Sequence, residues 1–223
     1  MEDEDFQGAA EQENLLSLKE IRESGPIQTC AGFGKRLENG ASTALSQSGE
    51  VLACSNGCWF CCYYKVDARP EEVFRIQSHL KKTRSSMELL ALRKEIDANA
   101  KVLRKMTYHE QLYANLKCPF LVAGSCSIYE VRPEKCQTFH AKDVDGCRST
   151  YEHPEVEVPN SFSPAVFATN QVRSEGRERA LAELGYDPTA YELNIALSLA
   201  FSDPKYRKKY DRKKKAFPRT NRG

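Results

Sequence analysis

No stretch of this chain approaches the roughly 18–20 consecutive apolar residues that a bilayer-spanning helix requires. The best candidate, "LNIALSLAF", is too short and is flanked by charge. The opening residues, "MEDEDFQGAAEQEN", have neither the basic region nor the apolar run of a secretory signal. Strand signals are scarce, no repeat of fixed period occurs, and low complexity is confined to the charged ends. Net charge is small too, +2 over 223 residues, and implies no partner by itself. A cytoplasmic protein with no membrane segment and a mainly α fold is the expectation.

What is present is ordinary in bulk and unusual in detail. A hydrophobic content of 40% with 29% charged residues suits a globular protein, and the length allows a sizeable core without disulfides. Charge is distributed unevenly. Residues 1–13 hold six acids and no base, whereas residues 205–222 hold ten Lys or Arg against the single acid Asp211. Both ends read as solvated termini. The expected organisation is a polar N-terminus over 1–25, a compact helical domain over 26–202 and a basic tail over 203–223.

Helical patterning begins in earnest at Pro70. "RPEEVFRIQSHLKK" has Pro at a first helical position, acids in the first turn, and Val73, Ile76, Gln77 and Leu80 at helical spacing. "SSMELLALRKEIDANAKVLRKM" predicts a second helix with Met87, Leu90, Ala91, Val102 and Met106 along its apolar face. A third runs through Tyr108–Leu116 and stops before Cys118-Pro119. Residues 118–160 read as irregular, apart from a helical turn at "SIYEVR". Helices follow at about 169–184 and from Pro188 to about Phe201. Residues 26–53, rich in Gly and Ser, are ambiguous between loop and short helix.

Cysteine is where the composition departs from the ordinary. In "ACSNGCWFCCYYKV" four cysteines, Cys54, Cys58, Cys61 and Cys62, fall within nine positions. In a reducing compartment, nine cysteines point to metal before disulfide. A helix over 54–62 would place these four in one stripe, and a tight loop would also converge them. Trp59, Phe60, Tyr63 and Tyr64 would then wrap the site. Adjacent side chains on a helix diverge by about 100°, so Cys61 and Cys62 seldom serve one tetrahedral ion together. One of them binds a second centre or is a spare thiol. A second set, Cys118, Cys126, Cys136 and Cys147, is spread over thirty residues with gaps of seven, nine and ten. Eight thiols suit a binuclear site, or one four-ligand centre with thiols to spare. His140 is a reserve ligand.

Zinc sites usually show two compact pairs, whereas iron–sulfur cores tolerate the wider spread seen here. Spacing alone leaves both open, with iron–sulfur the first reading and zinc the alternative. "CSNGCWFCCYYKVDARPEEV" followed by "CPFLVAGSCSIYEVRPEKCQTF" resembles the cysteine-cluster family known for its CxxCxxCC motif, over about residues 50–150. Here three residues rather than two separate Cys54 from Cys58. The resemblance implies zinc or iron chelation and supplies no reaction.

Blander readings attach to the other features. Cys30 is a core or loop cysteine, and "GFGKRLENG" lacks the spacing of a phosphate-binding glycine loop. Arg132 either orients the ligand loop or forms an ordinary surface pair, and Tyr129 packs against the cluster. Two further function classes stand beside plain metal binding. One is a metal-dependent enzyme, for which the flagellin lysine N-methylase is a relative in kind; its discriminating sign is a substrate-sized pocket with titratable groups beside the thiols. The other, less favoured, is a zinc-stabilised module that grips nucleic acid with the basic tail.

Overall fold

The computed structural model describes residues 3–55, 57–156 and 162–218. It is mainly α, as the patterning predicts, and ten helices form among the described residues. Two long N-terminal helices, α1 (Asp3–Ser24) and α2 (Pro26–Ser48), are separated by Gly25, whose φ of 83° a side chain would strain. A loop and a 3₁₀ turn, Phe60–Tyr63, lead to β1 (Asp67–Ala68). Then come α3 (Pro70–Thr83), α4 (Ser86–Leu103) and α5 (Tyr108–Leu112). The hairpin β2 (Leu121–Val122) and β3 (Ser125–Cys126) is followed by α6 (Glu134–Thr138) and α7 (Val144–Glu152). The chain finishes with α8 (Pro164–Glu183), β4 (Tyr191–Glu192), α9 (Leu193–Ser202) and α10 (Lys205–Asp211). β1 pairs antiparallel with β4, bringing the C-terminal helices beside α3.

The main core lies between α3, α4 and α9. Val73, Phe74, Ile76 and Leu80 of α3 meet Ile96 of α4 and Ala196, Leu197 and Ala200 of α9. α3 buries the face the sequence predicts. α4 does not: Met87, Leu90 and Val102 are exposed, and the helix instead buries Ile96, Ala100 and Leu103, with Leu89 and Leu92 half-buried. Both sets follow helical spacing, and the apolar surface of α9 selects the second. The helix after Thr107 ends at Leu112, four residues earlier than the expected Leu116, and Asn115 beyond it has a φ of 47°.

A second layer packs α1 and α2 on α8. Residues 26–53, ambiguous in sequence, are helical as far as Ser48 because Phe33, Leu37, Ala41 and Ala44 recur at helical spacing and are buried. Among the described residues, the ends expected to be solvated also carry helices, α1 and α10, that pack on the rest of the fold. Glu13, Asn14 and Ser17 of α1 are buried, with Glu13 and Glu20 held by Arg36 at 2.7 and 2.9 Å. At the other end, Tyr210, Ala216 and Phe217 enter the main core while the basic side chains point outward. Tyr206 packs against the same core, so a few apolar residues among many lysines anchor the segment.

α1 and α8 approach closely at Gly176. A methyl group there would stand 2.4 Å from the carbonyl oxygen of Ala10. Gly176→Ala should push α1 off α8 and destabilise the fold by about 1–3 kcal/mol, the usual cost of overpacking, measured as a lowered urea midpoint with unchanged slope.

Candidate metal centre

The two cysteine-bearing segments meet through backbone-anchored contacts, among them the Ala53 amide donating to the Ala141 carbonyl at 2.9 Å. The Cys118 amide donates to the Cys62 carbonyl at 2.7 Å, and the Ala141 amide donates to Cys54 Sγ at 3.4 Å. Tyr64 Oη donates to the Cys147 carbonyl at 2.9 Å. The described residues of 54–62 form no regular helix: Cys54 and Cys58 lie outside any helix, and the 3₁₀ turn carries Cys61 and Cys62. Gly57, at a φ of 88°, adopts a left-handed conformation that no regular helix accommodates.

Each downstream cysteine has its own support. Cys126 sits on the β2–β3 hairpin, whose two-residue turn, Ala123 and Gly124, has φ of 47° and 77°. Positive φ at both positions matches the right-handed strand twist, and glycine supplies one without strain. Cys136 rides on α6. That short helix is tied to α3 by Glu72, whose carboxylate accepts from the Arg69 amide at 2.7 Å and the Glu134 amide at 2.6 Å. The Arg69 guanidinium pairs with Glu134 and donates to Ser174 Oγ at 2.9 Å. Cys147 lies buried on α7, whose Tyr151 packs among Trp59, Phe60 and Tyr63. Those three aromatics, expected to wrap the thiols, therefore clamp the 3₁₀ turn to α7; Tyr64 alone of the four lines the site.

Seven of the eight expected ligands, Cys54, Cys58, Cys61, Cys62, Cys118, Cys126 and Cys136, line one cavity of about 940 Å³. Cys147 stands beside it, within electrostatic reach of Cys54, Cys58 and Cys61. Cys136 is enclosed by protein yet open to solvent through the cavity itself. Cys30, the ninth, is buried elsewhere against Pro26 and Arg177, as a core cysteine should be. Among the described residues, no three Cys, His, Asp or Glu side chains already close on a common point as metal ligands. The sulfurs stand around the walls of a chamber.

Electrostatics divides the thiols into two groups. Burial is the first cause raising Cys118, up to about 12, and it also raises Cys126 and Cys136; a negative charge on Cys61 raises all three further. Burial likewise lifts Cys147 to about 11, followed by the charges of Cys54, Cys58 and Cys61. Cys61 is raised foremost by its hydrogen bond with the adjacent Cys62, then by burial. Cys61 is thus coupled electrostatically both to Cys58 and Cys147 and to Cys118, Cys126 and Cys136.

Several groups oppose these upward shifts. The amides of Phe60, Phe120 and Ile128 donate to the thiols of Cys58, Cys118 and Cys126, two residues earlier in each case. The Arg132 guanidinium favours the thiolates of Cys61 and Cys126. It also lies 3.7 Å from the centroid of the Tyr129 ring and 3.7 Å from Glu38, so it joins both expected roles. Amide donors and a cation trained on sulfur stabilise thiolates, the form that binds metal. The donor set fits a thiophilic metal or an iron–sulfur core. His140 faces the same cavity with Nδ1 unpartnered, and its pKa is lowered by burial and then by Arg132.

Sequence reasoning missed the α8 wall. Phe167, Asn170, Gln171 and Ser174 line the cavity at helical spacing, and nothing in their residue types separates them from an ordinary polar helix face.

A helical frame around a chamber walled by thiols defines a cysteine-cluster domain. Residues 53–161, just under half of the chain, match the model of the CxxCxxCC family, described as a "Putative zinc- or iron-chelating domain". The match bears out the resemblance read from the motifs and supports metal binding, with zinc and iron both within its description. Neither a curated protein nor a solved structure matches the chain. No helix among the described residues is long and apolar enough to cross a membrane.

Proposed function

We propose that the chain binds metal as iron–sulfur, through two sets of four thiolates that share the Cys61-Cys62 pair. Cys54, Cys58 and Cys147 take one member of the pair, and Cys118, Cys126 and Cys136 take the other. The observation that carries this reading is the convergence of seven thiols from two distant segments on one chamber. A further feature supports it: thiols spread along walls suit an inorganic core held by four cysteines better than a single zinc ion.

When bound, such a core supplies one-electron chemistry or a rigid cross-link. The chain's own residues set its surroundings. Arg132 and the amides of Phe60, Phe120 and Ile128 offset the negative charge of the thiolates. Because burial favours the protonated thiols of Cys118, Cys126, Cys136 and Cys147, metal loading there releases protons and strengthens as pH rises.

Protein isolated without oxygen should absorb in the visible and contain iron with acid-labile sulfide in equal amounts. A colourless protein with stoichiometric zinc overturns the iron–sulfur reading and leaves a structural tetrathiolate role, since a closed shell of four thiolates has no open position for catalysis.

A further inference from the structure

The chamber's volume of about 940 Å³ lies near the top of the roughly 300–1,000 Å³ range of small-molecule sites. The α8 wall, moreover, bears no cysteine and presents a different chemistry. Asn170 is 3% exposed, lines the chamber, and has neither Nδ2 nor Oδ1 hydrogen-bonded within the described protein. A buried amide left without partners costs stability, so both atoms mark a place where a ligand would satisfy them.

The neighbours narrow the ligand. Phe167 precedes Asn170 by one helical turn and is exposed at the rim; Phe162 is exposed there too, its ring 5.5 Å from that of Phe139. Flat apolar surfaces therefore border the amide. Several charged side chains of the wall are already paired: Lys65 with Asp67, Glu134 with Arg69, and Arg132 with Glu38. Such pairing offers little to a charged guest and favours a neutral one. A carboxamide carries a donor and an acceptor side by side in one plane, and its complement is an edge that does the same, as an amide or a nucleobase does.

We propose that the α8 wall is a binding site for a neutral, planar small molecule with adjacent donor and acceptor atoms, read by Asn170 and bordered by Phe139, Phe162 and Phe167. The guest shares the chamber with the thiol-bound centre and lies beside it. This goes beyond metal binding and does not depend on which metal is held.

The test titrates the full-length, metal-loaded protein with benzamide and with adenosine by calorimetry, and repeats both with Asn170→Leu and the near-isosteric Asn170→Asp. Saturable binding of at least one probe is expected, weakened about tenfold or more in both variants, because the donor–acceptor match is lost. Preference for benzamide assigns the site to amides, and preference for adenosine to nucleobases. Binding of neither probe, or affinity unchanged in the two variants, overturns the proposal. Metal content measured on the same samples separates this outcome from failure of the chelation reading, since Asn170 is not a ligand and its replacement should leave metal content unchanged.

Discussion

Serine at both Cys61 and Cys62 is expected to abolish metal binding, while either single replacement removes about half of the bound metal. The expectation follows from the proposed sharing of the pair and from Cys61, which acts electrostatically on Cys58 and Cys147 as well as on Cys118, Cys126 and Cys136. Cys62 is hydrogen-bonded to Cys61 and holds Cys118 through its carbonyl, so the backbone geometry survives either substitution. Three thiolates remain at the centre that loses its member of the pair, too few to close a structural shell. Metal per folded chain, by elemental analysis of gel-filtered protein, is the readout. A single centre using one member of the pair gives a different pattern: one replacement harmless, the other complete.

Glu71→Ala should destabilise the protein by about 3–5 kcal/mol, the scale for removing one partner of a buried charge network. Glu71 is fully buried on α3, accepts from Tyr210 Oη at 3.0 Å, and lies 3.9 Å from Nε of the equally buried Arg177. Burial raises its pKa; Arg177 and Arg69 act against that shift. Deleting the carboxylate strips Tyr210 of its acceptor and leaves the Arg177 guanidinium under-compensated between α2, α3 and α8. Glu71→Gln retains an acceptor for Tyr210 and should cost less. Urea denaturation of both variants measures the difference, and equal stability of Glu71→Ala and the parent protein would contradict the account of how the two helical layers are joined.

The sequence makes some of this legible. Pro70, the acids after it and the spacing of Val73, Ile76 and Leu80 define α3 without reference to its neighbours, because caps and periodicity are local properties. The same rules leave α4 with two acceptable apolar stripes, and only its contact with α9 chooses between them. At the C-terminus, the lysines of 205–215 dominate composition, while Tyr210 and Phe217 decide where the segment goes. The eight cysteines could be named from type and spacing. Their arrangement as a chamber could not, since it depends on the Cys118-to-Cys62 and Ala141-to-Cys54 hydrogen bonds between segments more than fifty residues apart. Asn170 shows the limit most plainly. An asparagine on a mixed helix has no signature, and its interest comes entirely from burial without a partner.

The central claim, that thiols of both segments hold metal together, is tested most directly by native mass spectrometry of protein isolated without oxygen. Wild-type protein should carry an excess mass matching inorganic cores, and this mass should be lost or halved when Cys58 or Cys136, one from each segment, is replaced by serine. A wild-type mass equal to that of the bare chain, with the seven chamber-lining thiols open to alkylation in the folded state, would contradict it.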